Sequence, residues 1–297
     1  LAGLAHATAY PVDVIDDRPP DHVLAAFGLR DREPEPLEGS WEGGWRCGEI
    51  VLSPIADHAR AAWSAKVRET LFVDGLRLSR PVRSTDGRYV VSGWRADTFV
   101  SGHPEARHDE VVSAGIRLHE ATAAFERPRF LTQSPVPPWT EVDVFTAADR
   151  AAWEERPLRT LPPGAPALPD SGDRAHAVEL ITQLAGLRLP TESPSQVVHG
   201  DLYGTVLFTG SAAPGITDIT PYWRPAPWAA GVAVVDALSW GGADDGLIER
   251  WDFLPEWPQM LVRALIFRLG VHALHPRSTP AAFPGLLHTA ALVRMTL

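Results

Sequence analysis

Residues 197–208 read Val-Val-His-Gly-Asp-Leu-Tyr-Gly-Thr-Val-Leu-Phe, two short apolar runs flanking a polar turn. The pattern predicts strand, turn and strand with Asp201 at the bend, where Gly200 has no side chain to keep a ligand from the backbone. A carboxylate displayed in this way can accept a proton from a substrate hydroxyl. A second acid follows in Gly215-Ile216-Thr217-Asp218-Ile219, at the end of another short apolar run. Two acids on neighbouring strand ends can divide the work between proton acceptor and metal ligand.

His199-Gly200-Asp201-Leu202, then Val206-Leu207-Phe208, then Ile216-Thr217-Asp218 resemble the catalytic and metal-binding segments of aminoglycoside phosphotransferases and their relatives with a protein-kinase-like fold. Asp218-Ile219-Thr220-Pro221-Tyr222-Trp223-Arg224-Pro225 and Val235-Asp236-Ala237-Leu238-Ser239-Trp240 further resemble a poorly characterised bacterial branch of that superfamily. The likeness extends over most of the chain, but only these segments are specific. It implies an α+β, bilobal protein-kinase-like fold, with a small antiparallel-sheet N-lobe over 1–96 and a larger, mainly helical C-lobe over 97–297. It also implies ATP or GTP with Mg2+ as cofactor, Asp201 as catalytic base and Asp218 as magnesium ligand.

The elements that must position these acids follow from the patterning. Residues 37–52 read as strand, glycine turn and strand. In the fold implied by the resemblance, Gly43 and Gly44 would cover the nucleotide phosphates; otherwise they serve only the turn. A helix is expected over Ala59 to Leu71. Two strands around an Asp86-Gly87 turn complete a small sheet. Trp94-Arg95-Ala96-Asp97 falls where the lobes would join and an adenine edge would meet backbone groups. Helices are expected from Glu110 to Phe125, around Thr146 to Glu155, and from Asp173 to Leu187. The prolines between 135 and 172 mark an ordered excursion. Apolar helices at 260–274 and 281–297, with arginines on their polar faces, complete the larger lobe.

Three positions depart from the family pattern. Ser53 stands where a strand lysine would meet the phosphates. Lys66 stands where the helix glutamate would pair with it, and Thr205 replaces the metal-site asparagine. Lys66 is the only lysine among 27 basic residues, and the chain has no asparagine. Either Lys66 reaches the phosphates from the helix, helped by Arg46, with Thr205 as the weaker metal ligand, or it is a solvated helix residue. Tyr222, Trp223 and Arg224 either bind a ring-bearing or anionic substrate or pack their segment onto the larger lobe. His199 and His119 read as structural. Asp236, inside an apolar helix, needs a partner, and backbone N–H groups of the catalytic turn are the expected donors.

Two functions stay open. One is a small-molecule kinase of the aminoglycoside-phosphotransferase-like type, transferring a nucleotide γ-phosphate to a hydroxyl. The other is a pseudokinase-like protein that has lost phosphoryl transfer and serves as a ligand-binding, scaffolding or non-phosphoryl-transfer catalytic module. Other classes find little support. At 297 residues the chain exceeds a usual single domain of roughly 100–200 residues. A net charge of −10 argues against nucleic acid as partner. The single Cys47 excludes an intrachain disulfide and fits a reducing cytoplasm. The residues show no basic leader or long apolar run, and the apolar segment from Trp228 to Trp240 is too short to span a membrane and carries Asp236. No G-x-S-x-G elbow supports a serine hydrolase, and His272 and His275 have no evident third zinc ligand. A small-molecule substrate is expected, without nucleic acid or membrane; the acceptor and the oligomeric state are not legible.

Overall fold

Trp94-Arg95-Ala96-Asp97-Thr98 alternates apolar and charged side chains, and this alternation organises the N-terminal sheet. The computed structural model describes residues 18–37, 41, 43–135, 139–154 and 171–297. It opens with a short helix, α1 (Asp21–Ala26), followed by β1 (Glu35–Pro36), β2 (Trp45–Cys47) and β3 (Ile50–Pro54). Helix α2 (His58–Thr70) precedes β4 (Arg77–Leu78), β5 (Pro81–Val82), β6 (Val90–Val91) and β7 (Trp94–Thr98). The sheet runs β1-β2-β3-β7-β5, with β6 also on β7, and every pairing is antiparallel. Trp94 and Ala96 pack with Leu52, Val91, the α1 residues Val23 and Leu24, and Phe27 just after α1, in one apolar cluster. Arg95 and Asp97 take the opposite face, toward α2.

Several expectations are refined here. The strand expected across 88–94 breaks at Ser92-Gly93, where both residues have positive φ (48° and 80°) and turn β6 into β7. The tight turn between β2 and β3 is at Gly48-Glu49, with Gly48 at φ 68°. Gly43 and Gly44 instead lie before β2, in the loop from β1; residues 38–40 and 42 of that loop fall outside the described residues, as do 136–138 and 155–170 of the proline-rich stretch. β7 continues as sheet through Thr98, beyond residue 96. β4 leaves the N-terminal sheet and pairs in parallel with a strand of the C-terminal part, β10 (Gly215–Ile216), which also pairs with β9 (Val206–Leu207).

The C-terminal part is helical around one buried element. Helices α3 (His108–Thr122), α4 (Glu141–Trp153) and α5 (Gly172–Ala185) precede the strand β8 (Gln196–His199). After β9 and β10 come β11 (Pro221–Arg224), which pairs antiparallel with β8, then α6 (Ala226–Trp240), α7 (Leu247–Arg250), α8 (Trp257–Leu274) and α9 (Phe283–Met295). Helix α8 is buried along its whole length and packs against α4, α5, α6 and α9. A helix surrounded in this way must be apolar all round, and α8 is, except for Gln259, Arg263, Arg268 and His272. The arginines expected on its polar face are therefore inside the protein. The fold is α+β, an antiparallel sheet region followed by a helical region. No helix among the described residues is long and apolar enough to cross a membrane.

Backbone approach between α6 and α9 is set by Gly285, where an added Cβ would collide with the Ser239 carbonyl oxygen. Gly172, at the start of α5, has nothing within 4 Å of such a Cβ. Gly285→Ala is therefore expected to lower unfolding free energy by about 2–3 kcal/mol, and Gly172→Ala to be neutral or to stabilise by up to about 1 kcal/mol. Urea denaturation of both variants checks this; equal stabilities would contradict the packing.

Candidate functional site

The turn that carries Asp201 is held from below by its neighbours' backbone. β8 ends at His199, which pairs with Pro221 of β11. The Gly200 N–H donates to the Thr220 carbonyl at 3.0 Å, and the Thr220 N–H donates to His199 Nδ1 at 3.1 Å. From α3, His119 Nε2 accepts the His199 N–H at 2.9 Å, and the Thr122 hydroxyl donates to the Val197 carbonyl at 2.8 Å. Burial lowers the basicity of both imidazoles, that of His119 to about 3, so both rings are neutral acceptors near neutral pH. Both histidines are structural braces of the turn. The space beside Gly200, expected to admit a ligand, is filled instead by the Tyr222 ring, which a Cβ at Gly200 would overlap.

Asp201 emerges from this support 43% exposed, with one oxygen 3.2 Å from Nη2 of Arg268. The same guanidinium forms a bidentate pair with Asp236, through Nε at 2.6 Å and through Nη2. Asp236 thus finds its partner in a side chain of α8 and not in the backbone of the turn. Burial pushes the Asp236 carboxyl up to about 6, against the pull of Arg268. The arrangement runs from the buried Asp236 through Arg268 to the open carboxylate of Asp201. It fixes the position of Asp201 while leaving it accessible as a proton acceptor.

Asp218 has a different environment. Its Oδ1 accepts from the Ser64 hydroxyl and lies 3.4 Å from Nε of Arg68, and its Oδ2 accepts from Nη1 of Arg95. Arg68 also donates to Asp97 at 2.8 Å, and Arg95 Nε lies 3.2 Å from the other Asp97 oxygen. Two guanidiniums and two carboxylates therefore alternate between α2, β7 and the loop after β10. Burial alone would raise the Asp218 carboxyl, but Arg95, Arg68 and Ser64 outweigh it and hold the group well below the ordinary carboxylate range. Arg95 stands directly across from Ser53 in the β3–β7 register. The cation missing from β3 is thus supplied by the neighbouring strand, and a second one comes from α2 at Arg68. Lys66 is on the exposed side of α2, and the inward cation lies two residues further on.

The other nucleotide-side residues are engaged locally. Gly44 packs against its own sheet, where an added Cβ would lie 2.8 Å from the Trp41 carbonyl oxygen and 2.9 Å from Val51 Cγ1. Arg46 donates to the Gly48 carbonyl at 2.7 Å and covers the Phe99 ring, its guanidinium carbon 3.9 Å from the centroid. Trp94 is buried in the apolar cluster under α1. Thr205 donates its hydroxyl proton back to the carbonyls of Asp201 and Leu202. The fold implies a magnesium nucleotide, but these residues do not fit the cation. Both oxygens of Asp218 face guanidinium donors, so a magnesium ion would have to displace Arg95 or Arg68 to reach them.

Toward the substrate side, Arg224 makes a bidentate pair with Asp149 of α4, at 2.8 and 2.6 Å, and lies over the Trp153 ring. Tyr222 is buried edge-on against Trp228 and Phe267, and burial pushes its phenol well above the ordinary range, so that it stays protonated. Trp223 is half-buried. With Arg60, Arg127, Leu131 and Thr146, these residues line a small polar cleft.

Sequence patterning missed Arg68, Arg95, Ser64 and Arg268. The signal for Arg268 was present, since a buried acid on α6 and an arginine in an apolar helix each require a partner. The signal for Arg95 was its register opposite Ser53, which depends on strand pairing. Arg68 shares the inward face of α2 with Ser64, four residues earlier, and the two are bonded at 3.1 Å.

No protein-family model and no curated protein matches the sequence. Solved structures do match. The microcompartment-associated aminopropanol kinase superposes with a TM-score of 0.56 at 16% identity, over 92% of this chain and 94% of that one. An aminoglycoside phosphotransferase from Alicyclobacillus acidocaldarius gives 0.53 at 13% identity, over 94% and 93%. The aminoglycoside phosphotransferase APH(4)-Ia, in ternary complex with AMP-PNP and hygromycin B, gives 0.51 at 15% identity, over 89% and 94%. With the sheet region, the helical region and the two acid-bearing turns in place, the chain has the bilobal protein-kinase-like fold of these aminoglycoside-phosphotransferase-like small-molecule kinases.

Proposed function

We propose that this is a kinase-fold small-molecule-binding protein with an intact acceptor half and a rewired nucleotide half. Asp201 accepts a hydrogen bond from a ligand hydroxyl, and the protein does not handle a magnesium nucleotide in the usual way. The engagement of both Asp218 oxygens by Arg95, Arg68 and Ser64 carries this reading. Two guanidiniums against two carboxylates sum to no net charge, so a polyphosphate meets no net attraction there. Freeing Asp218, whose side chain is 33% exposed, for a cation breaks charge-assisted hydrogen bonds at a cost of about 1.5–3 kcal/mol. At a factor of ten per 1.4 kcal/mol, that lowers nucleotide affinity by about one to two orders of magnitude.

A second reading keeps phosphoryl transfer from ATP or GTP, with Asp201 as base. It is favoured by the Asp201–Arg268–Asp236 arrangement, which leaves the base open, and by the small-molecule kinases that share the fold.

Calorimetric titration separates the two. ATP and GTP, each with magnesium and with EDTA, are expected to bind no more tightly than about 1 mM. Micromolar, magnesium-dependent binding, with phosphoryl transfer abolished by Asp201→Asn, would establish the second reading. The Arg–Asp cluster has its own test. Asp218 titrates below its unfolded value of about 3.9, so its stabilisation is fully present above about pH 4 and is lost as pH falls through the lower folded value. Arg95→Met is expected to cost about 3 kcal/mol at pH 7 and to move the acid-unfolding midpoint upward. An unchanged midpoint would show that the cluster contributes nothing.

A further inference from the structure

The cleft beside the catalytic turn has a charge pattern that bears on the ligand. It is lined by Arg60 from α2, Arg127 from the segment after α3, Asp149 from α4, and Tyr222, Trp223 and Arg224 from β11. Its connection to Asp201 runs through Tyr222. The ring packs into the space left by Gly200, next to Asp201, and the same residue lines the cleft. Tyr222 thus stands between the cleft and the turn that carries Asp201.

Three guanidiniums face the cleft, and the acids that answer them are accounted for. Arg224 uses Nε and Nη2 on Asp149. Arg60 lies 3.4 Å from Asp57, donates to the Pro221 carbonyl at 3.4 Å, and lies 5.0 Å from the Phe130 ring centroid. Arg127 donates to the Leu131 carbonyl at 2.9 Å. Among the described residues no carboxylate closes into an ion pair with Arg127, and its position is exposed. After Asp57 and Asp149 the cleft keeps one positive charge. Guanidinium forks match the two oxygens of a carboxylate or a phosphate, and the half-buried Trp223 offers an apolar face for the ligand's body. A polycation would meet like charge at the same place.

Resting on the reading that the acceptor half is intact, we propose that its ligand is a hydroxyl-bearing small molecule with an oxyanion head. The head is received by Arg60 and Arg127, and the hydroxyl is directed past Tyr222 to Asp201. Arg224, expected to match the anion itself, is here the fixed wall of the cleft, held by Asp149.

Calorimetry on the full chain tests this with 4-hydroxyphenylacetate and glycerol 3-phosphate as the two kinds of oxyanion probe, 2-(4-hydroxyphenyl)ethanol as a neutral counterpart and hygromycin B as polycation. At least one oxyanion probe is expected to bind, about tenfold or more tighter than the neutral compound, with no binding of hygromycin B. Which of the two binds identifies the head as carboxylate or phosphate. Arg127→Glu, at an exposed position that does not threaten folding, is expected to weaken that binding at least about tenfold. Failure of both oxyanions to bind at about 10 mM, binding of hygromycin B instead, or indifference to Arg127→Glu overturns the proposal. None of these outcomes affects the nucleotide titrations. Conversely, micromolar magnesium-nucleotide binding overturns the rewired nucleotide half and leaves the ligand class standing.

Discussion

Arg68 and Arg95, alternating with Asp97 and Asp218, tie α2, the central strand β7 and the loop after β10 into one charged cluster. The rest of the site depends on it. Asp97 and Arg68 are fully buried, so neither can be left without the other, and Asp218 is drawn to the pair by the guanidinium charge. Because the loop carrying Asp218 also supplies Thr220 to the His199 ring and to the Gly200 N–H, the cluster fixes the catalytic turn at second hand. A displacement at Asp218 would be felt at Asp201 through two backbone hydrogen bonds.

A second charged arrangement supports the other side of the turn. Asp236 and Arg268 lie on the adjacent helices α6 and α8 inside the helical region, and the guanidinium passes its remaining contact to Asp201. The contrast between the two acids follows from what each meets. Asp201 has one arginine edge and solvent, so it remains free to receive a proton. Asp218 has two arginines and a serine hydroxyl, so both of its oxygens already have donors. The fold supplies equivalent places for both; the neighbours decide their chemistry.

Local pattern made much of this legible. The His-Gly-Asp-Leu turn, the second acid, the small sheet and the helices over 59–71, 110–125 and 260–274 follow from alternation, spacing and turn residues, which are short-range properties. Errors gathered where a side chain's partner is distant in sequence. Lys66 stands out in the sequence as the sole lysine, reaching the phosphates or solvated; the helical face leaves it exposed and turns Arg68 inward. Trp94 falls at a lobe junction only by analogy with the resembling family, and the strand places it under α1. The α8 arginines read as surface because arginine usually is; enclosure by four helices put them inside.

By itself, the sequence determined that two aspartates sit at strand ends, that the family's strand lysine and metal-site asparagine are absent, and that no other lysine or asparagine can replace them. Those are matters of composition and local periodicity. Only the tertiary structure decided which cations take their place. Arg95 meets Asp218 through cross-strand register, Arg68 through the inward face of a helix, and Arg268 reaches Asp201 across the helix bundle. Charge pairing over such sequence separations is set by packing, because a buried guanidinium must find its carboxylate wherever the fold brings one within reach.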